Sequence, residues 1–502
     1  MPRKKTSRTP RPRKPLRARA ATTPANVVAC WEDDPGDPRS QPPLVPISVP
    51  IPSQSATSLP FKIAGTAPAP AIYHPGTPDF VYYATASSLA RTGAFWSAIV
   101  PTGTRWQVGK VLPVQLDSGV DLNAFYTRGG FGDTPGLHFF HDVVRGRVYF
   151  SGESPDVACH EMGHAVLDAI RPELFDVQTI EAAAFHESFG DMSAILSALQ
   201  LPSFQQEVLN ETAGALNRAS RLSRLAEQLG AAIRVSHPDA VDPDCLRNAA
   251  NSFFYRDPQT LPPGAPAAQL SSEPHSFSRV FTAGFLDALA GIFRTQGSST
   301  RDALALAARD AGTILVGAIA TAAIVPDYFS QVAAHMCQFG EEPPFKGRYR
   351  DVLKSAFVRR GILSLQAAAA LAETPREAMR TAAPSAVRPQ QMPMASIPAA
   401  QYGLKKAVVM VRFAAEAKRL AVTGASLQLG PVEPRSPQSA AEAYTEDLFQ
   451  RGHVDVGAHA HEQTGLMHPY AFKTHTIKEE NGSLVLQRRA FDCGLHYALD
   501  RP

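Results

Sequence analysis

Residues 155–170 constrain the fold of this chain more than any other segment. Ser154 is a good helix N-cap, and Pro155 suits the first position of the helix. Within this helix His160 and His164 lie four residues apart, so both side chains face the same side. Two imidazoles in this arrangement can bind one zinc ion. The segment therefore predicts a helix that carries half of a metal site.

The residues around the two histidines extend the predicted site. Glu161 would lie beside the metal, where its carboxylate can take a proton from zinc-bound water. On the next predicted helix, Glu187 can supply a third ligand. Asp191 lies one turn further on the same face, where it can accept a hydrogen bond from the far nitrogen of a ligand histidine. These four positions predict a catalytic metal site with one coordination position left open.

The motif is compatible with two other interpretations. In one class of zinc peptidases a glycine and a third histidine continue the first helix, but Leu167 and Ile170 occupy those positions, so that class is excluded. The histidines and glutamate of the motif also occur by chance on exposed helix faces. The Glu-x-x-x-Asp spacing of the second helix favours the metal site over that interpretation.

Composition bounds the class and location of the protein. The chain has 502 residues, of which 44% are apolar and 19% charged, values of an ordinary globular protein with more than one domain. Its five scattered cysteines form no close pair, which favours reduced thiols. No signal peptide and no apolar run of membrane-spanning length is recognised. We therefore expect a cytoplasmic protein without a membrane span, with non-classical export as the alternative.

Composition also changes along the chain and predicts five regions. The first twenty residues carry nine basic side chains and no acid, so a solvated arm is preferred and nucleic-acid contact is the alternative. The β-containing half and the later helical half predict an α+β fold with the metal site at their junction. The predicted regions are a disordered basic, proline-rich tail (1–76), a β-containing lobe (77–153), a helical zinc-binding lobe (154–365), a linker (366–400) and a small β-rich module (401–502).

The motifs resemble those of the thermolysin-like gluzincin zinc metalloproteases. The His-Glu-x-x-His helix, a short connection and the Glu-x-x-x-Asp helix are similar to that family's zinc site. Leu246-Arg247 and then His275 resemble its Leu-Arg pair and catalytic histidine, and Asn123-Ala124-Phe125-Tyr126 is similar to its substrate-binding edge strand. The resemblance covers roughly residues 78 to 363. It marks the chain as a divergent member with an extra N-terminal tail and C-terminal extension.

The resemblance implies a fold and a role for each residue. The fold would have two lobes, with zinc held between them by the two histidines and Glu187. His275 would stabilise the oxyanion formed at the scissile carbonyl, and Arg247 would bind a substrate carbonyl. Asn123 and the backbone of Ala124 would pair with an extended peptide substrate. Val157 and Leu246 would line a pocket that favours an apolar residue after the scissile bond.

Some positions depart from the family pattern. Phe175 stands where the family has a tyrosine that donates to the oxyanion, and Glu273 is the nearest carboxylate to orient His275. Of the family's calcium-binding carboxylates only Asp156 has a counterpart, which leaves a calcium cofactor undecided. We expect a zinc metalloendopeptidase with Glu161 as general base. The alternative is a catalytically impaired zinc fold that serves as a protein-interaction module.

Overall fold

The computed structural model describes residues 26–36, 44–48, 51, 58–130, 132–373, 392–414, 436–460 and 472–494. The basic arm, Arg3 to Arg19, lies outside the described residues. The chain is 44% helix and 17% strand, with several separate sheets. The predicted α+β class is therefore confirmed.

Sixteen strands and twelve helices are described in these ranges. The strands are β1 (Val27–Trp31), β2 (Leu44–Ser48), β3 (Phe61–Ile63), β4 (Leu112–Gln115), β5 (Ala124–Thr127), β6 (Gly136–Phe139), β7 (His141–Val144), β8 (Arg147–Phe150), β9 (Arg224–Leu225), β10 (Arg247–Asn248), β11 (Met394–Pro398), β12 (Val408–Arg412), β13 (Val454–Asp455), β14 (His475–Glu480), β15 (Ser483–Arg488) and β16 (Ala490–Asp492). The helices are α1 (Pro78–Ser97), α2 (Pro155–Ile170), α3 (Glu173–Asp176), α4 (Ile180–Ala198), α5 (Pro202–Thr212), α6 (Glu227–Arg234), α7 (Pro274–Arg294), α8 (Arg301–Thr321), α9 (Tyr328–Phe339), α10 (Arg350–Arg359), α11 (Leu365–Glu373) and α12 (Pro437–Gln450).

A five-stranded mixed sheet lies beside the predicted metal helix. Its strand order is β16-β5-β6-β4-β3, in which β5 pairs antiparallel with both β16 and β6. Strands β3, β4 and β6 run parallel. The strand at one edge comes from the far end of the chain, so this sheet joins the first part of the sequence to the last.

The helices α2, α4 and α7 form the buried centre of the helical region. Aromatic pairs fill the contacts of α4 with its neighbours: Trp96 of α1 stacks on Phe189 with ring centroids 4.8 Å apart, and Phe185 meets Phe281 of α7 edge to face at 5.0 Å. Nearly every residue of α4 is buried. A helix that is buried on all sides has no face toward solvent, which explains why α4 has little amphipathic pattern.

Two glycines bring α2 and α4 into close contact. A Cβ atom added to Gly163 of α2 would lie 2.9 Å from the Cα of Gly190 in α4. A Cβ atom at Gly190 would lie 2.5 Å from Cε1 of the His160 ring. The two helix backbones can approach this closely because neither position has a side chain.

The second sheet and an added helix follow the helical region. Its strand order is β11-β12-β15-β14-β13, and α12 precedes β13. Within the range predicted as linker, α11 and β11 are regular elements. In those two segments the chain therefore does not behave as a linker.

The prediction of a disordered N-terminal tail is wrong for Val27–Trp31 and Leu44–Ser48. These segments form the antiparallel pair β1-β2. Trp31 is buried, its Nε1 donates to Glu153 Oε1 at 2.8 Å, and its ring meets Phe80 edge to face at 5.7 Å. Four buried apolar residues in one short strand, Val28 to Trp31, are enough to dock here. The proline-rich segments on either side lower the average apolar content of the region, so composition does not reveal the strand.

The sequence also suggests one helix over Phe204–Ile233, and this prediction is wrong. Helix α5 ends at Thr212, and Ala213 and Gly214 adopt left-handed backbone conformations with φ of 50° and 81°. This conformation terminates helices, and glycine favours it. Gly214 is therefore the signal that sequence reasoning overlooked.

Within the described ranges, two helices are long and apolar enough to cross a membrane, judged by length and composition alone. They are α7 and α8, of which 94% and 61% of the most apolar window are buried in the fold. Core helices meet the same criterion, so this is weak evidence for a span. It nevertheless differs from the sequence analysis, which finds no candidate segment.

Candidate metal centre

Helix α2 places two histidines side by side in the core. The helix begins where predicted, with Ser154 Oγ accepting from the Val157 N–H at 3.2 Å and Pro155 in the first turn. The rings of His160 and His164 lie with centroids 4.7 Å apart and are almost fully buried. One helical turn thus brings the two imidazoles together, as their spacing predicts.

Helix α4 brings Glu187 to the same point from the other side. Its Oε2 lies 3.3 Å from His160 Nε2, and its Oε1 lies 3.7 Å from His164 Nε2. The structure therefore brings the three predicted ligands together. The close approach of the two helices at Gly163 and Gly190 makes these distances possible.

Asp191 supports the site as expected. Its Oδ1 lies 3.0 Å from His160 Nδ1, so the carboxylate can fix the tautomer that leaves Nε2 free for a metal. Its second partner was not foreseen. Arg247 Nη2 donates to the same oxygen at 2.9 Å, so this arginine neutralises the buried carboxylate.

The ligand atoms fit a metal ion. His164 Nε2 and Glu161 Oε2 are buried and have no hydrogen-bond partner among the described residues. His160 Nε2 and Glu187 Oε2 lie 3.3 Å apart, and His275 Nε2 lies 3.1 Å from the same oxygen. Ligand atoms of His160, Glu161 and His164 lie within 4.8 Å of one another. Buried polar atoms are rarely left unpaired, and a cation at this point would satisfy them together. Two imidazoles and a carboxylate are donors that zinc accepts.

The electrostatics of the site keep the ligands in different protonation states. Burial lowers the pKa of His164 to about 3, so this imidazole is neutral and its ring nitrogen is available. Burial acts against ionisation of Glu187, but the nearby His275 and His164 outweigh it and hold the pKa of this carboxyl well below its usual range. A neutral imidazole beside an ionised carboxylate is the state that binds a metal. For His160, burial is outweighed by the contacts with Asp191 and Glu187, which raise its pKa to about 9, so a metal bound there would displace a proton.

Glu161, the predicted general base, is fully buried. Burial raises its pKa to about 8, against the opposing effect of His160. Its Oε1 accepts a hydrogen bond from the Cys493 thiol at 2.8 Å. Sequence reasoning missed Cys493, because nothing local to that cysteine points to a glutamate more than 300 residues away.

His275 begins α7 on the opposite side of the site. Its Nδ1 lies 2.7 Å from Glu273 Oε1, so the prediction that Glu273 orients this ring is confirmed. Its Nε2 lies 3.1 Å from Glu187 Oε2 and 2.6 Å from the carbonyl oxygen of Asp492. The ring that was predicted to face a substrate carbonyl therefore faces a carbonyl of the chain itself.

The predicted substrate strand is also engaged by the C-terminal segment. Ala124 accepts a hydrogen bond from the Cys493 N–H at 2.8 Å, and Asn123 Nδ2 donates to Asp492 Oδ2 at 3.4 Å. Asn123 and Ala124 are buried beneath this segment. The edge of the sheet is therefore occupied.

A cavity of about 350 Å³ lies beside these residues. Leu246, Arg247, His275 and Cys493 are among the residues that line it. Val157, the other predicted pocket residue, is 1% exposed and belongs to the central core. Of the two predicted pocket residues, Leu246 therefore lines the cavity, whereas Val157 is packed in the core and does not line it.

Phe175 and Asp156 are the remaining positions of interest. Phe175 is buried against Tyr126 and under the guanidinium of Arg128, 4.3 Å from its ring centre. Asp156 accepts from the Ala226 N–H at 3.0 Å, and burial together with Asp34 raises its pKa well above the ordinary value. A buried carboxyl already paired to the backbone gives no support to a calcium site.

The chain matches no protein-family model, and a search of curated proteins gave no match.

Proposed function

We propose that the chain is a zinc-dependent endopeptidase with the two-lobed architecture of the thermolysin-like enzymes. The observation that carries this proposal is the buried convergence of His160, His164 and Glu187, with the unpaired atoms His164 Nε2 and Glu161 Oε2 in the same cluster. A zinc ion bound there would polarise a water molecule and lower its pKa to roughly 7. A structural site would use a fourth protein ligand, whereas three ligands and an adjacent carboxylate are typical of catalysis.

The side chains around the site would have different roles in catalysis. Glu161 takes the proton of the attacking water and passes it to the departing amine. His275, held by Glu273, donates a hydrogen bond to the carbonyl oxygen as negative charge develops there. Arg247 holds Asp191, which fixes the His160 ring. In this role Arg247 acts through another residue and need not touch the substrate.

An extended peptide is the substrate class that the cleft favours. Strand β5 would offer its backbone groups to an antiparallel peptide strand when β16 is not paired with it. The cavity next to Leu246 would receive the side chain after the scissile bond, and we expect an apolar residue there. The carbonyl bound by His275 and the N–H bound by Ala124 mark the position of that bond.

The second candidate is a zinc fold that binds a protein partner without cleaving it. Occupation of the cleft by the C-terminal segment favours this candidate, and so does Phe175, which lacks the hydroxyl donor of the related enzymes. Retention of Glu161, His275 and Glu273 in one geometry favours catalysis.

Metal analysis and a peptide-library cleavage assay test the proposal. The assay uses the full chain and a chain ended at Arg489, in which the sheet edge is open. We expect about one zinc per chain, and cleavage that a chelator abolishes. Glu161→Gln should keep the zinc and lose about 10²–10⁴-fold in rate. An open, zinc-loaded chain that cleaves nothing, or a Glu161→Gln variant that cleaves at the wild-type rate, would overturn the proposal.

A further inference from the structure

We propose that the C-terminal strand β16 is a built-in inhibitor of the cleft and that Cys493 is an additional ligand of its metal. This inference rests on the proposed function. It assigns the thiol to the coordination position that water would otherwise take. The strand and the thiol are supported by separate observations.

The first observation is the pairing of β16 with β5. Ala490, Phe491 and Asp492 lie opposite Thr127, Tyr126 and Phe125 in antiparallel register. The pairing continues past the strand through the hydrogen bond from the Cys493 N–H to the Ala124 carbonyl. An extended peptide substrate would need the same edge, so β16 and a substrate exclude each other.

The second observation is the placing of the peptide unit between Asp492 and Cys493. Its carbonyl oxygen lies 2.6 Å from His275 Nε2, and its N–H donates to Ala124. Both ends of the unit are thus bound by groups that the proposed function assigns to a scissile bond. The segment imitates a substrate at the position where the chemistry occurs.

The third observation is the position of the Cys493 thiol. It is buried, it lies 2.8 Å from Glu161 Oε1, and the residue is enclosed between Glu161 and the Ala124 backbone, to which its own N–H donates. A thiolate is a strong zinc ligand. If the sulfur bound the metal, the S–H bond would break, its proton would pass to the Glu161 carboxylate, and a metal–sulfur bond would replace it. No oxidation or reduction occurs, and both the water position and the general base are then taken.

Phe491 anchors the inhibitor against the metal ligands. Its ring stacks on His186 with centroids 3.9 Å apart and on His164 at 5.1 Å. The Arg488 guanidinium covers the ring at 4.2 Å from its centre. Phe175 meets the same ring edge to face at 5.5 Å. A phenyl ring at position 175 therefore has a packing role in the inhibited state.

The inhibitor differs from a substrate in what occupies the site. A bound substrate would leave the open coordination position to water and Glu161 free to act on that water. Cys493 instead donates its thiol hydrogen to Glu161. Cleavage of the bond after Asp492 would release residues 493–502, which intact-mass measurement detects.

Cobalt substitution of the full chain tests the proposal without relying on activity. The chain loaded with Co²⁺ should show the near-ultraviolet charge-transfer absorption of a sulfur–cobalt bond. Cys493→Ser should lose this band and keep bound cobalt. The matched control is Cys159→Ser, because Cys159 is also buried and adjoins His160 but has its sulfur 3.3 Å from Ser197 Oγ. This control should keep the band.

Zinc-loaded chains supply the second readout. Cys493→Ser and the chain ended at Arg489 should cleave peptides about tenfold faster or more than wild type. A cleft that is open in only a fraction of the molecules binds substrate with an apparent affinity reduced by that fraction.

Absence of the band in wild type, or its persistence in Cys493→Ser, would refute thiol ligation. Loss of residues 493–502 on zinc addition would show a substrate and overturn the inhibitor. If the band behaves as expected but no open variant cleaves, the proposed function fails while thiol ligation stands. Thermal unfolding of each variant identifies one that has not folded.

Discussion

Replacing Asp191 by asparagine should weaken both the metal site and the fold. Asp191 is 2% exposed, and its carboxylate holds His160 Nδ1 at 3.0 Å and Arg247 Nη2 at 2.9 Å. The amide has nearly the same shape but no charge, so Arg247 is left buried without a counter-ion. Breaking a buried ion pair in this way costs about 3–5 kcal/mol, and the remaining amide oxygen should hold the loss near the lower value. Loss of the carboxylate behind a ligand histidine should lower zinc affinity about 10–100-fold.

Asp168→Asn is the matched control for this variant. Asp168 is also fully buried, and it holds Arg128 Nε at 3.0 Å and the Tyr126 hydroxyl at 2.6 Å, but it contacts no metal ligand. Urea unfolding in the presence of a chelator measures the loss of stability without metal. Competition with a coloured zinc chelator measures the affinity. Both variants should unfold more easily, and only Asp191→Asn should bind zinc more weakly.

The two measurements can contradict this reasoning separately. If Asp191→Asn binds zinc within about threefold of wild type, the carboxylate does not support His160 in the way that its usual role requires. If Asp168→Asn loses zinc to the same extent, the loss reflects general loosening of the core. If Asp191→Asn unfolds like wild type, Arg247 is not the buried, paired cation that its contacts indicate.

Three further predictions concern the ligand, the N-terminal strand and a buried acid. Glu187→Ala should lose most bound zinc, as read by metal analysis, because two imidazoles remain; full retention would refute the ligand assignment. Deleting residues 1–25 should leave urea unfolding unchanged, whereas Trp31→Ala should cost about 3–5 kcal/mol by loss of a buried indole; equal stability of the two would refute docking of β1. Burial, with Glu227 and Asp34, raises the pKa of Asp33 from 3.8 to about 8. The folded state then binds more protons than the unfolded state across this window, so stability falls as pH rises through it. Asp33→Asn should therefore raise the melting temperature more at pH 8 than at pH 5, and an equal rise at both would refute the shift.

The metal helices were predictable because their signals are local. Helix α2 has the bounds that Ser154 and Pro155 indicate, and the spacing of His160 and His164 alone fixes their common face. Glu187 and Asp191 follow from the same periodicity on α4. At these positions local capping, helical period and tertiary packing agree.

The missed features depend on contacts between distant parts of the chain. Strand β16 is only three residues long, and its pairing with β5 joins positions more than 350 residues apart. No pattern within such a short segment indicates its partner, so neither the filled cleft nor the contact of Cys493 with Glu161 could be predicted. The contact between Trp31 and Phe80 could not be predicted either, because it also joins segments that are distant in the sequence.

The contact between Gly163 and Gly190 sets a limit on how this site can change through mutation. Neither glycine binds a metal, yet even one methyl group at position 190 would lie within 2.6 Å of two atoms of the His160 ring. The ring cannot yield without leaving its ligand position. A Cβ atom at Gly163 would in turn lie 2.7 Å from Ser193 Oγ and 2.9 Å from the Gly190 Cα. In a library that samples all residues at position 190 and is selected for metal retention, glycine should therefore be the sole survivor. A sequence signature for chains of this kind should accordingly include Gly163 and Gly190 together with the three ligands.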